Sequence, residues 1–324
     1  MDREEILLHL TDNFVWVLLI GLLIGFSIMN PAYFTLPNLR STFKDAGVLG
    51  FLALGLGLCV IAGDFDVSLA QLAGVSAVLV GWLSESTTLP WVLIIVTPIF
   101  LGTAFGAIYG VLIGKGKFNP FLITIGGFII LQGLSRFVAA GSYVRVEDPN
   151  LLFLGKATFL EVIFYSTLLF IGIILLGWVF TKYTRSGRAI YAVGNSTDTS
   201  ERIGINTAKT KILVHVLAGA LAGIAGLIYV GVVGGEVRAN VADGEIFKAF
   251  AAVAIGGLSI FGGRGNIIHI LGGTTFIAMI IVGLPMVGIT GVNTDIVLGA
   301  LILIAVLLNE RIGKIRDKIL SAKL

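Results

Sequence analysis

The sequence predicts an all-α polytopic membrane protein that crosses the bilayer about ten times. Of its 324 residues, 56% are hydrophobic and only 13% are charged, whereas soluble domains carry about 25% charged residues. Apolar windows of about 20 residues, the length needed to cross a bilayer, recur along the chain. No linker or low-complexity segment interrupts it, so residues 1–324 are expected to form one transmembrane domain.

The candidate spans follow from these apolar windows. The third and the eighth are too short or too rich in glycine to be expected to cross fully. In chain order, the windows lie near residues 13–30, 46–62, 66–83, 91–113, 119–138, 159–180, 211–232, 246–258, 267–287 and 294–309. The fourth contains Gly106, Gly110 and Gly114, whose spacing predicts close packing against another helix.

The basic residues set the expected orientation. With ten crossings and a cytoplasmic N-terminus, fifteen of the 22 lysines and arginines lie on the cytoplasmic side and seven lie outside. This bias agrees with the positive-inside rule. The protein is therefore expected in the cell (inner) membrane, with both termini in the cytoplasm. Residues 181–210 then form the largest cytoplasmic loop. The net charge of +3 follows this topology and does not indicate nucleic-acid binding.

The N-terminus gives no sign of a cleavable signal. It has no basic n-region, and no small-x-small site follows the first apolar run. The first hydrophobic segment is therefore expected to remain as a membrane helix in the lipid bilayer.

A polar break separates the second window from the third. It reads Gly63-Asp64-Phe65-Asp66. An ionised side chain facing lipid is costly, and irregular backbone at membrane depth is tolerated only where it lines a cavity or is buried in protein. We therefore expect a broken helix beside a polar path, as in many transporters. The alternative is a short loop at a membrane surface, with both carboxylates solvated.

This stretch is echoed 199 residues later in the chain. Phe51, Ala53, Gly57, Ile61, Gly63, Leu72 and Gly74 recur as Phe250, Ala252, Gly256, Ile260, Gly262, Leu271 and Gly273. Glycine-interrupted apolar segments at corresponding places in two halves are typical of a transport site. The echo thus predicts two related halves.

The loop at residues 181–210 contains a second informative stretch. Asp198 to Ile203 is expected to form a short helix, with Ser196 or Thr197 as its cap. One interpretation is an ordinary basic anchor with a surface helix, and the other is a docking element for a soluble partner. Composition alone does not choose between them.

The remaining loops and motifs mainly exclude functions. Residues 139–158 and 233–247, expected outside, are too small for a binding domain, so capture of substrate there would require another protein. No G-x4-G-K-[ST], H-E-x-x-H, CxxC or G-x-S-x-G motif occurs. The chain is therefore not expected to be an enzyme or to hydrolyse ATP alone.

Metal binding is not expected either. The single cysteine, Cys59, allows no internal disulfide and has no partner for a cysteine-based metal site. The three histidines, His9, His215 and His269, are far apart in the sequence. His269 lies on an apolar helix and is expected to be packed or to line a path rather than to bind a metal.

Four segments of the chain follow patterns known from one protein family. Residues 62–70, Ala-Gly-Asp-Phe-Asp-Val-Ser-Leu-Ala, resemble the signature Gly-Gly-[Ile/Phe]-Asp-[Leu/Val]-Ser-Val-Gly. Residues 188–206 look like a cytoplasmic coupling segment, residues 247–265 look like a second-half signature, and residues 119–124, Asn-Pro-Phe-Leu-Ile-Thr, also have the family pattern. With these segments the chain resembles the ribose-type (simple-sugar) ABC importer permeases, and the resemblance extends over residues 45–310.

The resemblance implies a vitamin-B12-permease-like fold with about ten helices per subunit. Its halves, approximately residues 45–180 and 211–310, would be joined by the coupling loop at 181–210. A second permease subunit, identical or similar, would share the translocation path, and a cytoplasmic ABC ATPase would dock on the loop. This chain would hold no cofactor, because ATP and Mg would bind to the ATPase. An extracytoplasmic binding protein would deliver a sugar or a related small polar solute.

Departures from the family pattern leave the substrate and the choice of partner open. Asp64 replaces the second glycine of the signature and adds a carboxylate, and Ala70 replaces its last glycine. Asn195 stands where a second glycine is usual in the coupling segment, and residues 200–203 stand where alanine is usual. The broad family also moves nucleosides, autoinducer-2-type furanones, flavins and, distantly, branched-chain amino acids.

The expected functional residues form three sets. The substrate path is expected at Asp66 and Ser68 first, then at Asp64, Gln71 and Asn119, although the acidic residues would alternatively brace the broken helix. The residues expected to couple to the ATPase are Ser200, Glu201, Arg202, Ile203, Gly204 and Ile205. The glycines expected to break or pack the helices are Gly63, Gly74, Gly256, Gly257, Gly262, Gly263 and Gly265.

Two other functions remain open from the sequence. A stand-alone secondary transporter would be driven by protons, with Asp64 and Asp66 as the relay. A membrane scaffold or a channel is the third possibility. The polar break argues against a scaffold, and a channel would conduct without a partner.

Overall fold

The computed structural model describes residues 13–291, 293–294, 296–304, 307 and 311, and helices dominate it. The helices are α1 (Phe14–Met29), α2 (Leu36–Ile61), α3 (Leu69–Ser86), α4 (Trp91–Gly114), α5 (Pro120–Val138), α6 (Pro149–Lys156), α7 (Tyr165–Tyr183), α8 (Arg185–Asn195), α9 (Thr197–Arg202), α10 (Thr207–Val232), α11 (Glu245–Ile255) and α12 (His269–Met286). Helical backbone recurs at residues 293–294 and 296–304. The short strands are β1 (Tyr143–Arg145), β2 (Thr158–Phe159), β3 (Ile163–Phe164) and β4 (Glu236–Arg238).

Among the described residues, seven helices are long and apolar enough to cross a membrane, namely α2, α3, α4, α5, α7, α10 and α12. They confirm the prediction of an all-α polytopic membrane protein and match seven of the ten predicted windows. Helix α1 is shorter, with 16 residues, and α11 has 11. The tenth window, 294–309, lies partly outside the described residues.

Helix α2 begins about ten residues before the window that predicts it. Its first turn contains Pro37, which suits the start of a helix, and Thr35 precedes it in extended conformation. Arg40, Lys44 and Asp45 lower the hydropathy of the following turns. A search for apolar windows therefore detects only the later part of this helix.

Helices α2 and α10 form the centre of the bundle. In α2, 89% of the most apolar window is buried, and in α10 the share is 67%, against 22% for α4 and α5. The two central helices are surrounded by protein, whereas α4 and α5 leave most of their apolar surface uncovered. A polar residue in the buried part of these helices, such as His215 in α10, therefore lies in the protein interior.

Glycines allow α4 and α10 to pack with their backbones in contact. A Cβ added at Gly110 would lie 2.6 Å from the Cα of Ile212, and one at Gly114 would lie 2.7 Å from the carbonyl oxygen of Ala208. At Gly106 it would meet the carbonyl group of His215. The predicted packing role of Gly106, Gly110 and Gly114 is confirmed.

The two loops expected on the outer side pair with each other. Strands β1 and β4 are antiparallel, with Val144 opposite Val237, and Arg145 forms an ion pair with Glu236 at 3.2 Å. The amide of Val146 donates to the carbonyl of a neighbouring glycine at 2.9 Å. Each loop is small, but together they make one layer above α3.

The segment 181–210 is more helical than the sequence suggests. Helix α9 is capped by Ser196, whose Oγ accepts from the amide of Thr199 at 3.2 Å. This confirms the predicted short helix and one of its two predicted caps. Helix α8 was not predicted; its buried residues Gly187, Ile190 and Val193 recur every third position. That apolar stripe is too short to stand out among the basic residues around it.

Candidate functional site

The predicted break between the second and third spans is present. Helix α2 ends at Ile61, residues 62–68 are not helical, and Gly63 turns the chain at φ +79°. Asp64 and Asp66 are only 3% and 1% exposed. The broken helix is confirmed, and the alternative of two solvated carboxylates in a surface loop is wrong.

The segment that follows the break runs a long way along α10. Asp64 contacts Lys211 in the second turn of α10, whereas Ala73 in the first turns of α3 packs against Gly226. These positions on α10 are 15 residues apart, which corresponds to about 22 Å along a helix axis at about 1.5 Å per residue. The third span is thus an extended segment followed by a helix.

Both carboxylates of the break contact other polar groups of the chain. Asp64 Oδ1 lies 2.6 Å from Lys211 Nζ, and its Oδ2 lies 3.4 Å from His215 Nε2. Asp66 Oδ2 lies 3.3 Å from His215 Nδ1. Asp66 Oδ1 accepts from both the amide (2.9 Å) and the hydroxyl (2.6 Å) of Ser68. The imidazole of His215 therefore lies between two carboxylates.

The other residues predicted for the substrate path are separated from this cluster. Gln71 Nε2 donates to Asp243 Oδ1 at 2.8 Å. Asn119 caps α5, because its Oδ1 accepts from the amides of Phe121 (2.9 Å) and Leu122 (3.3 Å). The structure brings Asp64, Asp66 and Ser68 together and leaves Gln71 and Asn119 at other contacts. Their role toward a substrate stays a prediction.

Helix α5 holds the backbone of the break. Thr124 Oγ1 donates to the carbonyl oxygen of Phe65 at 3.2 Å and accepts from the amide of Val67 at 3.3 Å. Both groups lie in irregular backbone, which needs such partners where no water is present. Thr124 belongs to a segment whose sequence has the family pattern. In this structure it supplies hydrogen-bond partners for backbone groups of the broken helix.

A second interrupted helix meets the first. Helix α11 ends at Ile255, and glycines with positive φ follow it. A Cβ at Gly262 (φ +87°) would lie 3.0 Å from the Cα of Gly63, the residue that the 199-residue echo aligns with it. The amide of Gly263 donates to the carbonyl oxygen of Ile61 at 2.9 Å. The four glycines of this segment with positive φ are Gly257, Gly262, Gly263 and Gly265.

Helix α8 packs against both breaks at once. A Cβ at Gly194 would collide with the carbonyl oxygen of Ile61 and would lie 2.8 Å from the amide nitrogen of Gly263. Tyr191 donates its hydroxyl to the carbonyl oxygen of Gly265 at 2.9 Å. Burial raises the pKa of Tyr191 above its ordinary value of 10.0, so the phenol stays a neutral donor at physiological pH.

The residues predicted for coupling differ in exposure. Glu201, Arg202 and Ile203 face outward, and Ile203 is 69% exposed. Ser200 is buried, and its carbonyl oxygen accepts from the amide of Ile205 at 2.9 Å. Gly204 makes the turn between them at φ +85°. An exposed isoleucine beside charged residues suits a docking contact, which stays a prediction.

The two remaining predicted glycines, Gly74 and Gly256, have negative or unremarkable φ and differ in how closely they are packed. A Cβ at Gly74 would make an ordinary contact of 3.4 Å with the Cβ of Ala242. Gly256 ends α11 with φ −63°, where a Cβ would lie 2.9 Å from the carbonyl oxygen of His269.

The ring of His269 packs edge-on against Trp16 at 6.3 Å between centroids, and His9 lies outside the described residues.

Sequence reasoning missed Lys211, His215 and Cys59 as parts of the site. Lys211 and His215 are four residues apart in an otherwise apolar span, a spacing that places them on one helix face. That pattern was the available signal. Cys59 gave none, because its neighbours Asp66 and His215 come from elsewhere in the chain.

Three atoms of this cluster also have a spacing that could hold a metal ion. One ligand atom each from Cys59, Asp66 and His215 lie within 4.8 Å of one another, and all three residues are buried. Asp66 and His215 are thus possible co-ligands of Cys59, and the expectation of no metal site stays a prediction. Thiolate, imidazole and carboxylate together suit zinc. The Nδ1 atom of His215 already pairs with a carboxylate oxygen of Asp66 at 3.3 Å.

Taken together, these features define a class of protein. The chain is a polytopic membrane protein in which two glycine-interrupted helices meet each other and pack on a helix of the 181–210 segment, an arrangement typical of membrane transporters. A family profile described as "Branched-chain amino acid transport system / permease component" matches residues 38–306. The chain belongs to this family.

Similar proteins are importer permeases. The ribose import permease protein of Escherichia coli strain K12 is 31% identical over 294 residues, which cover 88% of this chain and 89% of that protein. The autoinducer 2 import system permease protein of Photorhabdus luminescens is 28% identical, covering 94% and 90%. The galactose/methyl galactoside import permease protein of E. coli K12 is 26% identical, covering 96% and 97%. No solved structure is a significant match.

Proposed function

We propose that this chain is the membrane-spanning permease subunit of an ABC importer for a sugar or a related small polar solute. The observation that carries the proposal is the contact of both interrupted helices with α8, through Gly194. A movement applied to the 181–210 segment would reach both breaks directly. The names of the relatives support a solute such as ribose, a galactoside or autoinducer 2.

The finer architecture belongs to this proposal. It has about ten membrane segments in a vitamin-B12-permease-like fold, with related halves near residues 45–180 and 211–310. The approach of Gly63 to Gly262, which are equivalent in the two halves, supports that organisation. The short α1 and α11 would complete the count as partial or tilted crossings. Because the positive-inside bias favours it, both termini lie in the cytoplasm.

The partners follow from the surfaces. A cytoplasmic ATPase, which alone binds ATP and Mg, docks on α9 through Arg202 and the exposed Ile203. A second permease subunit and the lipid bilayer share the uncovered apolar faces of α4 and α5. An extracytoplasmic binding protein delivers the solute to the layer built on β1 and β4.

We assign Asp64, Asp66 and Ser68 a bracing role rather than contact with the solute. All three are at most 3% exposed in this chain, and each hydrogen bond or ion pair that they make is with another residue of the protein. Gln71 and Asn119 likewise hold Asp243 and the start of α5. The solute path then lies along other surfaces, at the interface with the second subunit.

The test is an affinity pull-down of the tagged chain from native membranes in mild detergent, followed by mass spectrometry of proteins and bound small molecules. We expect an ATPase with Walker motifs and a binding protein that still holds its ligand. Proteoliposomes containing the recovered complex should take up that ligand only with ATP. Uptake by the isolated chain under an imposed pH gradient would instead identify a proton-driven secondary transporter.

A further inference from the structure

One face of α10 carries polar residues at regular intervals. Thr207, Lys211 and His215 are each four residues apart, so they lie above one another along the helix. A lysine and a histidine within an apolar span are costly unless they are paired. Both are paired with the carboxylates of the helix break, whereas Thr207 is paired with α9.

Together these pairs join α10 to α9 at one end and to the helix break before α3 at the other. At one end, Thr207 donates its hydroxyl to Glu201 Oε1 at 2.7 Å. One turn further, Lys211 binds Asp64 at 2.6 Å, and one turn beyond that His215 lies between the two carboxylates of the break. At the other end, Asp66 accepts from Ser68, directly before α3 begins.

The charges at the helix break balance when His215 is protonated. The two carboxylates, Asp64 and Asp66, face one lysine and one imidazole that has a carboxylate oxygen beside each nitrogen. When His215 carries a proton on both nitrogens, it donates to both carboxylates, and the four groups have no net charge. Buried charges are tolerated when they are paired in this way. The family signature has glycine where this chain has Asp64, so the chain carries an additional carboxylate at this point.

We propose that Lys211 and His215 are positioning residues that transmit a displacement of α9 to the helix break and so to the first turn of α3. This proposal rests on the proposed function, because it takes α9 as the site where the ATPase acts. Helix α10 begins at Thr207, which is bonded to α9, and it is the rigid element between the two ends. A shift of its first turns moves Asp64 and Asp66 through short ionic contacts.

The experiment uses the complex that the pull-down recovers, reconstituted in proteoliposomes. Three variants are compared with the wild type: Lys211→Met, Lys211→Arg, and Lys211→Met combined with Asp64→Asn. The matched control is Lys115→Met, which removes an exposed lysine at the end of α4. Measured quantities are abundance in the membrane, the rate of ATP hydrolysis, and solute taken up per ATP hydrolysed.

We expect Lys211→Met to lower the uptake per ATP at least tenfold while ATP hydrolysis stays within twofold of the wild type. Lys211→Arg should keep at least half of the wild-type ratio, because it keeps the ion pair. The double variant removes both charges of the ion pair. Its abundance in the membrane should therefore return toward the wild-type level, whereas its uptake per ATP hydrolysed should stay low. That result separates positioning from simple compensation of a buried charge.

Recovery of the ratio in the double variant would overturn the proposal, and so would an unchanged ratio in Lys211→Met. If Lys211→Met does not insert, the double variant supplies the decisive measurement. Thr207→Val tests the other end and should lower the ratio at least threefold at unchanged abundance. A wild-type complex without ATP-driven uptake would instead contradict the proposed function itself.

Discussion

The contact of α8 with both helix breaks can be tested by one added methyl group. Gly194 lies near the end of α8, and a Cβ there would collide with the carbonyl oxygen of Ile61. It would also lie 2.8 Å from the amide nitrogen of Gly263. The atoms that it meets are backbone atoms, which cannot rotate away as a side chain does. Gly194→Ala therefore forces α8 away from the two breaks.

The expected cost follows from three contributions. Overpacking a close contact costs about 1–3 kcal/mol. The hydrogen bond from the amide of Gly263 to the carbonyl of Ile61, at 2.9 Å, is at the same place, and its loss adds about 1 kcal/mol. Alanine is a better helix former than glycine by up to about 1 kcal/mol. The net loss in the free energy of unfolding should be about 1–3 kcal/mol.

The assay compares Gly194→Ala with Gly172→Ala in detergent and in proteoliposomes. Gly172 lies in α7 with no atom within 4 Å of an added Cβ, so its substitution should leave stability unchanged or slightly raised. Gly194→Ala should be less stable, and ATP-driven uptake should fall at least fivefold. Equal free energies of unfolding and equal uptake in the two variants would refute the packing argument.

Three further predictions concern single side chains. Ile203→Asp should change the free energy of unfolding by less than about 0.5 kcal/mol, as expected for an exposed site, yet lower ATP-driven uptake at least tenfold; unchanged uptake would contradict docking at α9. Asp66→Asn should cost about 3 kcal/mol because it breaks a buried pair with His215, so folding yield and uptake should fall together; lost uptake at full yield would contradict the bracing role. Tyr191→Phe should cost about 1 kcal/mol through the lost hydrogen bond to Gly265, measured by denaturant unfolding.

The last of these predictions has a defined pH dependence. The pKa of Tyr191 is raised in the folded protein above its ordinary value of 10.0. Its contribution is therefore fully present below the unfolded value and is lost as the pH rises through the folded one. The difference between wild type and Tyr191→Phe should be constant at neutral pH and should shrink only in strongly alkaline solution. A difference that varies between pH 6 and 8 would contradict this reasoning.

The break at Gly63 to Asp66 was predictable from local sequence, because ionised side chains are costly where they face lipid. Two carboxylates between two apolar runs therefore indicate a broken helix by their position alone. The partners of these carboxylates were not predictable in the same way. Lys211 and His215 lie about 150 residues later, and an apolar helix with two polar residues on one face fits many arrangements. Only packing places that face against the break.

The sequence by itself determined that the chain is a polytopic α-helical membrane protein, because hydrophobicity and length act locally. It also determined where the helix breaks, where α9 lies, and which family pattern the chain follows. Tertiary structure alone decided that α8 joins both breaks and that Asp64 and Asp66 contact Lys211 and His215 of α10. These are contacts between residues far apart in the chain, and they depend on which glycines let two backbones approach. Local patterns carry no information about such distances.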